Sequence, residues 1–222
     1  MRVYSISSTP TRPHNIQVTV KRVPGGIVSN WLNDEMRPGM AVEIADIGGQ
    51  FNYLDIPSRK PLFLSGGSGV TPVISMLQYI TDVAEPTDVI FVHFARTPQD
   101  IIFRDQLTFL AKRFRNIAVH FVVGDAAGEP GFTGHVGRIS PQLIREIVPD
   151  LSERDIFMCG PEGFMSAARG VLAETPVNAL HEESYGERIE IDQSRSLGGE
   201  VYFALSGRQG PVCPAKRCWK RR

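Results

Sequence analysis

The segment Gly66-Gly67-Ser68-Gly69-Val70-Thr71-Pro72 joins an apolar, strand-like run to an amphipathic stretch of helical period. Glycines in such a turn let backbone amides close on a pyrophosphate, and the helix N-terminus adds roughly half a positive charge. Thr71 suits the N-cap and Pro72 the first helical position, where a missing amide proton costs nothing. A side chain at Gly67 or Gly69 would then fill the space of the anion, so Gly69→Val is expected to weaken dinucleotide binding without unfolding the domain. The bland alternative is an ordinary tight turn. The segment departs from the common dinucleotide fingerprint, because Pro72 stands for the third glycine and Arg96, not an acid, ends the next strand. It misses the Gly-x-Ser-x-Gly nucleophile elbow at Val70, which leaves a serine hydrolase using Ser68 as a lesser alternative.

A second segment, Cys159-Gly160-Pro161-Glu162-Gly163-Phe164-Met165, repeats the arrangement: a strand ends in Cys159, and Gly160-Pro161 opens a helix. Alone, Cys159 would be a small core residue and Pro161 a helix starter. Both segments fall at carboxyl ends of predicted strands, the edge where open α/β sheets bind ligands, so together they predict one crevice.

The elements that must hold these segments alternate regularly. Strands are expected over 61–65, 88–95, 117–123 and 155–159, and helices over 72–83, 103–114, 141–148 and 162–173. That order predicts a doubly wound parallel sheet of about five strands. Upstream, 2–8 and 15–23 alternate as antiparallel strands, Ile27, Trp31 and Leu32 mark a short helix, and 40–47 resumes the strand pattern. Downstream, 186–199 reads as a polar linker and 200–205 as one isolated strand.

Bulk properties remove several function classes. Lys plus Arg number 24 and Asp plus Glu 24, so no net field draws the chain to nucleic acid. Apolar runs fall far short of the ~20 residues that span a bilayer, which predicts no membrane segment. No export signal opens the chain, so the cytoplasm is the expected compartment. Cys159, Cys213 and Cys218 lack zinc spacing and, with five scattered histidines, predict neither a resident metal in this chain nor a disulfide framework.

The pair Gly-Gly-Ser-Gly-Val-Thr-Pro and Cys-Gly-Pro-x-x-x-Met resembles the nicotinamide-binding half of the ferredoxin-NADP reductase superfamily. Within it, the chain is similar to FAD-containing reductases with a C-terminal plant-type [2Fe-2S] domain, which include Rieske oxygenase reductases and hybrid-cluster protein reductases. Arg2-Val3-Tyr4-Ser5 resembles the family's Arg-x-Tyr-Ser strand, which implies Arg2 at the flavin pyrophosphate, Tyr4 on the isoalloxazine and Ser5 near its N5. Gly26-Ile27-Val28-Ser29 resembles its second phosphate contact. His181-Glu182-Glu183-Ser184-Tyr185 resembles its His-x-Glu-x-Phe segment, with Tyr185 for the usual Phe. The resemblance implies an α/β fold: an incomplete antiparallel FAD-binding β-barrel over 1–57, then a parallel-sheet NAD(P)-binding domain over 58–185, the linker, and the start of a ferredoxin-like domain over 200–222. It implies that NADH reduces FAD, which serves an iron-sulfur acceptor, either a Rieske oxygenase or a hybrid-cluster protein. Gly66, Gly67, Gly69, Thr71, Pro72, Gly160, Pro161 and Met165 would bind the dinucleotide, with Ser5, Cys159 and Glu183 along the hydride path. Arg96 could hold a 2′-phosphate, which keeps NADPH open beside NADH.

Two departures bear on completeness. The family has barrel strands before its Arg-x-Tyr-Ser motif, so the flavin barrel is expected to be partial. Cys213 and Cys218 have the first plant-type spacing, but Arg221 stands at the third ligand position, so [2Fe-2S] is expected in an intact parent alone. A non-catalytic nucleotide-binding fragment is the remaining alternative.

Overall fold

The computed structural model describes residues 2–44, 47–184, 199–203 and 208–212. Tyr185, the 186–198 part of the expected linker, Cys213, Cys218 and Arg221 lie outside them. The described chain falls into two units, 1–19 with 51–186, and 20–50 with 187–222.

The first unit carries a parallel sheet built from β1 (Pro61–Gly66), β2 (Val89–Ala95), β3 (Ile117–Val123), β4 (His135–Val136), β5 (Asp155–Gly160) and β6 (Ala179–Ser184). Spatial order is β4-β3-β2-β1-β5-β6, so strand order reverses between β1 and β5. Helices α2 (Val70–Asp82), α3 (Arg104–Arg113), α4 (Pro141–Ile147) and α5 (Glu162–Leu172) follow the strands. Successive side chains of β1 serve opposite faces: Leu62 and Leu64 pack with Ile156, Met158, Met165 and Leu172, while Phe63 packs with Phe91, Phe157, Leu77 and Leu107. Burial on both faces is why these strands are nearly continuous apolar runs. The sheet has six strands instead of about five, because His181-Glu182-Glu183-Ser184 pairs with β5 and the two-residue β4 adds to β3.

The expected strands over 2–8 and 15–23 are reduced to one antiparallel bridge, Ile6 to Val18. Serine hydroxyls displace the ladder here: the Gln17 amide donates to Ser8 Oγ at 3.0 Å, and Ser7 Oγ lies 2.9 Å from Thr19 Oγ1. The same segment is fastened to α2, where Gln78 Nε2 donates to the Ser7 carbonyl at 3.1 Å and Ser75 Oγ to that of Ser8 at 2.5 Å.

In the second unit α1 (Ile27–Asp34) starts at the N-cap Gly26, as its motif predicts, and Arg22 pairs with Asp34 at 2.5 Å. Positions 40–44 and 47 form no strand. The expected isolated strand over 200–205 is instead one arm of a hairpin, β7 (Gly199–Phe203) antiparallel to β8 (Arg208–Val212), because a strand satisfies its backbone groups only against a neighbour.

Candidate active site

The two glycine motifs are neighbours. β1 and β5 pair in parallel with Ser65 opposite Cys159, so both turns leave the sheet side by side where strand order reverses. Gly67 has φ 52°, a left-handed conformation that glycine takes without strain. A 3-10 turn, Gly67–Gly69, then feeds α2, whose first turn carries no acidic residue. These features fit a dinucleotide pyrophosphate: the positive end of a helix dipole, no acidic residue in the first turn, and half-buried Gly67 and Ser68 at the surface of the turn.

Two details of the motif differ from the sequence reading. The helix begins at Val70, so Gly69 is the N-cap; Thr71 Oγ1 donates to the Ser68 carbonyl at 3.0 Å. Pro72 therefore sits third in the helix, still within the turn whose amides need no intrahelical acceptor. The space a side chain at Gly69 would need is taken by backbone. A Cβ there would land inside the Cys159 carbonyl group and 2.6 Å from the Gly160 Cα. Gly69 lies where two backbones touch, so Gly69→Val forces backbone to move, which bears against the expectation that the variant leaves the domain folded. Gly66 and Gly160 are likewise crowded, each beneath the Phe164 ring, where a Cβ would come within 2.7 Å and 2.6 Å of its atoms.

Strand register assembles a polar row on the α2 side of the sheet edge: His93, Ser65, Cys159 and Glu183 are successive cross-strand partners. Ser65 Oγ and His93 Nδ1 lie 2.8 Å apart, both residues fully buried. Cys159 is fully buried too, so its small side chain packs beside Glu183 rather than facing solvent. Ser5 Oγ donates to Glu183 Oε2 at 2.9 Å, which brings the Arg2-Val3-Tyr4-Ser5 segment to the carboxyl end of β6. Arg2 is exposed and Tyr4 half-buried. Met165 is fully buried in the core on the α4 and α5 side; it seats α5 and does not line the crevice. Pro161 is exposed as the N-cap of α5.

In the second unit, Ser29 is buried and its hydroxyl accepts the Val23 amide at 3.2 Å, while Val28 is exposed. The first turn of α1 holds no acidic residue, which suits an anion contact.

Burial raises the Glu183 carboxyl above the ordinary carboxylate range, and the bond from Ser5 partly opposes that shift. A raised acid contributes stability that is complete below its unfolded value and is lost as pH climbs through its folded value. Glu183→Gln is therefore expected to remove this loss, so the variant gains on the parent as pH rises above the carboxylate range. Thermal melts across pH check this, and parallel curves would refute it.

At β2 the sequence reading missed an acid. Arg96 follows the strand, and the 3-10 turn Pro98–Asp100 brings Asp100 back beneath it, with Arg96 Nη2 3.2 Å from Asp100 Oδ1. The spacing of four residues was the available clue.

Residues 63–170 match the oxidoreductase NAD-binding domain family, and residues 1–53 the oxidoreductase FAD-binding domain family. The chain carries ferredoxin reductase-type FAD- and NAD-binding domains. This ferredoxin reductase-type chain is 40% identical over 188 residues to the glycine betaine monooxygenase reductase subunit of Pseudomonas aeruginosa (strain UCBPP-PA14), covering 84% of the chain and 51% of that protein. It is 36% identical over 185 residues to the NADH oxidoreductase HCR of Escherichia coli (strain K12), covering 83% and 54%. It thus spans about half the length of the curated relatives it matches. The Flavohem-like-FAD/NAD binding domain of nitric oxide dioxygenase from Vibrio cholerae O1 biovar El Tor shares its fold, with TM-score 0.69 and 22% identity over 83% of this chain and 76% of that one. Among the described residues no helix is long and apolar enough to cross a membrane. The hydrolase alternative loses its footing, since the turn holding Ser68 falls within the NAD-binding match and His93 bonds to Ser65.

Proposed function

We propose that the chain passes electrons from NADH through FAD to an iron-sulfur acceptor, as part of an oxygenase reductase working in the cytoplasm. The observation that carries this reading is the 2.9 Å bond from Ser5 to Glu183, which joins the flavin motif to the sheet edge beside Cys159. When bound, FAD accepts a hydride from the nicotinamide and releases electrons singly, which suits it to stand between a two-electron donor and a one-electron carrier. A Rieske oxygenase is the favoured acceptor, because relatives named as oxygenase reductase subunits reach 42% identity; a hybrid-cluster protein is the second reading.

The division of labour follows the motifs. Residues 1–57 serve the flavin and 58–185 the dinucleotide. Arg2 supplies charge to the flavin pyrophosphate, Tyr4 a flat apolar face and Ser5 a hydroxyl; Gly26, Val28 and Ser29 offer a helix-start phosphate contact, and Tyr185 is assigned to the flavin by motif. Gly67 and the positive N-terminal end of α2 receive the dinucleotide pyrophosphate, with Gly66, Gly69, Thr71, Pro72, Gly160 and Pro161 shaping the crevice walls. Glu183 accepts the Ser5 hydroxyl's hydrogen bond and so orients it; Cys159 keeps the neighbouring position small.

The test is anaerobic mixing of the FAD-loaded chain with NADH, followed by loss of the flavin's visible absorption. Ser5→Ala is expected to slow that loss by about tenfold to a hundredfold with little change in NADH affinity, the pattern of a transition-state interaction. An unaltered rate would remove Ser5 and Glu183 from the hydride path, and no reduction of bound FAD by the parent would sink the reading.

A further inference from the structure

We propose that His120 and His135 form a two-imidazole site for a divalent transition metal ion, Cu²⁺ or Zn²⁺, at the outer edge of the parallel sheet. The two residues are distant in the chain and belong to no spacing motif; the register of β3 with β4 brings them together. His135 is the cross-strand partner of Val122, and His120 stands two residues before Val122, on the same face of β3. Their ring centroids lie 5.8 Å apart, with the rings tilted by 43°. Two imidazoles that share one ion at metal–nitrogen distances of about 2.0–2.1 Å have centroids no more than roughly 6.4 Å apart. The observed separation falls inside that limit.

The surroundings suit a hydrated ion. Both rings border a cavity of about 580 Å³, which has room for the waters that complete the coordination. Among the described residues no third His, Cys, Asp or Glu joins them in a cluster, so two nitrogens and water set the affinity. The cavity wall carries Asp105 as well as Lys112, and Arg104 is paired with Glu129 at 2.6 Å, so the positive charge of α3 is countered locally. Burial, with His135 beside it, lowers the His120 imidazole below its ordinary range, which favours the unprotonated ring that a metal requires. Imidazole ligands rank Cu²⁺ above Zn²⁺, whereas Mg²⁺ prefers oxygen donors. β4 is two residues long and meets β3 at two positions, so an ion shared by His120 and His135 fastens this short edge strand. The site lies beyond β2 on the side away from β5, and the proposal stands apart from the NADH reading.

The experiment is titration calorimetry of the full chain, stripped of metal, with CuCl₂, ZnCl₂ and MgCl₂. Cys213→Ser with Cys218→Ser serves as the background, so that these thiols do not compete for the ion. One Cu²⁺ per chain is expected, with Zn²⁺ bound more weakly and Mg²⁺ not at all. In this background His120→Ala and His135→Ala should each weaken Cu²⁺ binding by about tenfold or more, because either change leaves a single imidazole. His14→Ala, which removes an exposed histidine elsewhere, should leave it unchanged. Zn²⁺ should raise the melting temperature of the background chain and leave that of either alanine variant where it was. Electron paramagnetic resonance of the Cu²⁺-loaded background chain gives a reading that does not depend on how the variants fold, and coupling to two imidazole nitrogens is expected. Absence of Cu²⁺ binding, binding equally tight in both alanine variants, or a copper spectrum with fewer than two imidazole nitrogens overturns the proposal.

Discussion

Gly69→Val is expected to yield a chain that fails to form the carboxyl edge of the sheet and loses NADH binding with it. The added Cβ alone would overlap the Cys159 carbonyl, and the neighbour is backbone, which cannot rotate away as a flexible side chain would. Relief requires moving the turn before α2 away from the end of β5, and both ends are tied into the same sheet by β1 and β5 pairing. Even Gly69→Ala should cost about 3 kcal/mol or more, at the upper end of overpacking penalties. Gly163 is the control: it stands in the first turn of α5 with open space around it, so Gly163→Ala should leave stability within about 1 kcal/mol of the parent. Urea unfolding of the three chains, with NADH titration of each, measures both effects. A folded Gly69→Val chain with only its NADH affinity reduced would restore the simpler view in which Gly69 makes room for an anion.

Arg154→Ala is expected to destabilise the sheet by about 3 kcal/mol, because one buried guanidinium serves three acceptors. Its side chain is 3% exposed. Nε donates to Asp150 Oδ1 at 2.7 Å, Nη1 to the Asp88 carbonyl at 2.9 Å and Nη2 to Asp88 Oδ2 at 2.9 Å. Asp88 precedes β2 and Arg154 precedes β5, the two strands that flank β1, so this group pins three strands in register at their amino ends. That register puts Ser65 opposite Cys159 at the other end, which makes a stability effect here also an effect on the crevice. The same contact holds the Asp150 carboxyl below its ordinary range. Arg154→Lys should rescue little, since an ammonium cannot reproduce a planar fork. Arg96→Ala, which removes an exposed cation, should shift stability by no more than about 0.5 kcal/mol. Thermal unfolding that left Arg154→Ala level with Arg96→Ala would show the network to be dispensable.

The sequence by itself determined the alternation of strands and helices beyond position 61, since strands buried on both faces and helices buried on one carry distinct apolar periods. It also determined that two glycine turns lie at strand carboxyl ends, and that the flavin and dinucleotide motifs occur in order. Tertiary structure decided which residues of those motifs pack against each other and which stay at the surface of the sheet edge. Gly69 looked like room for a phosphate because its neighbour, the Cys159 carbonyl, is distant in the chain; a local pattern carries no record of close approach between elements. The same reason hid the Ser5 to Glu183 bond, which depends on α2 holding residues 7 and 8 and on β6 joining β5. Met165 read as a motif residue, yet the rotation of α5 turns it into the core. Asp100 was masked differently, by a 3-10 turn whose tight pitch returns the fourth residue to the strand end. The strand pattern over 2–8 and 15–23 promised a ladder that serine hydroxyls took over, because alternation reports which face is apolar and leaves open what will accept each backbone amide.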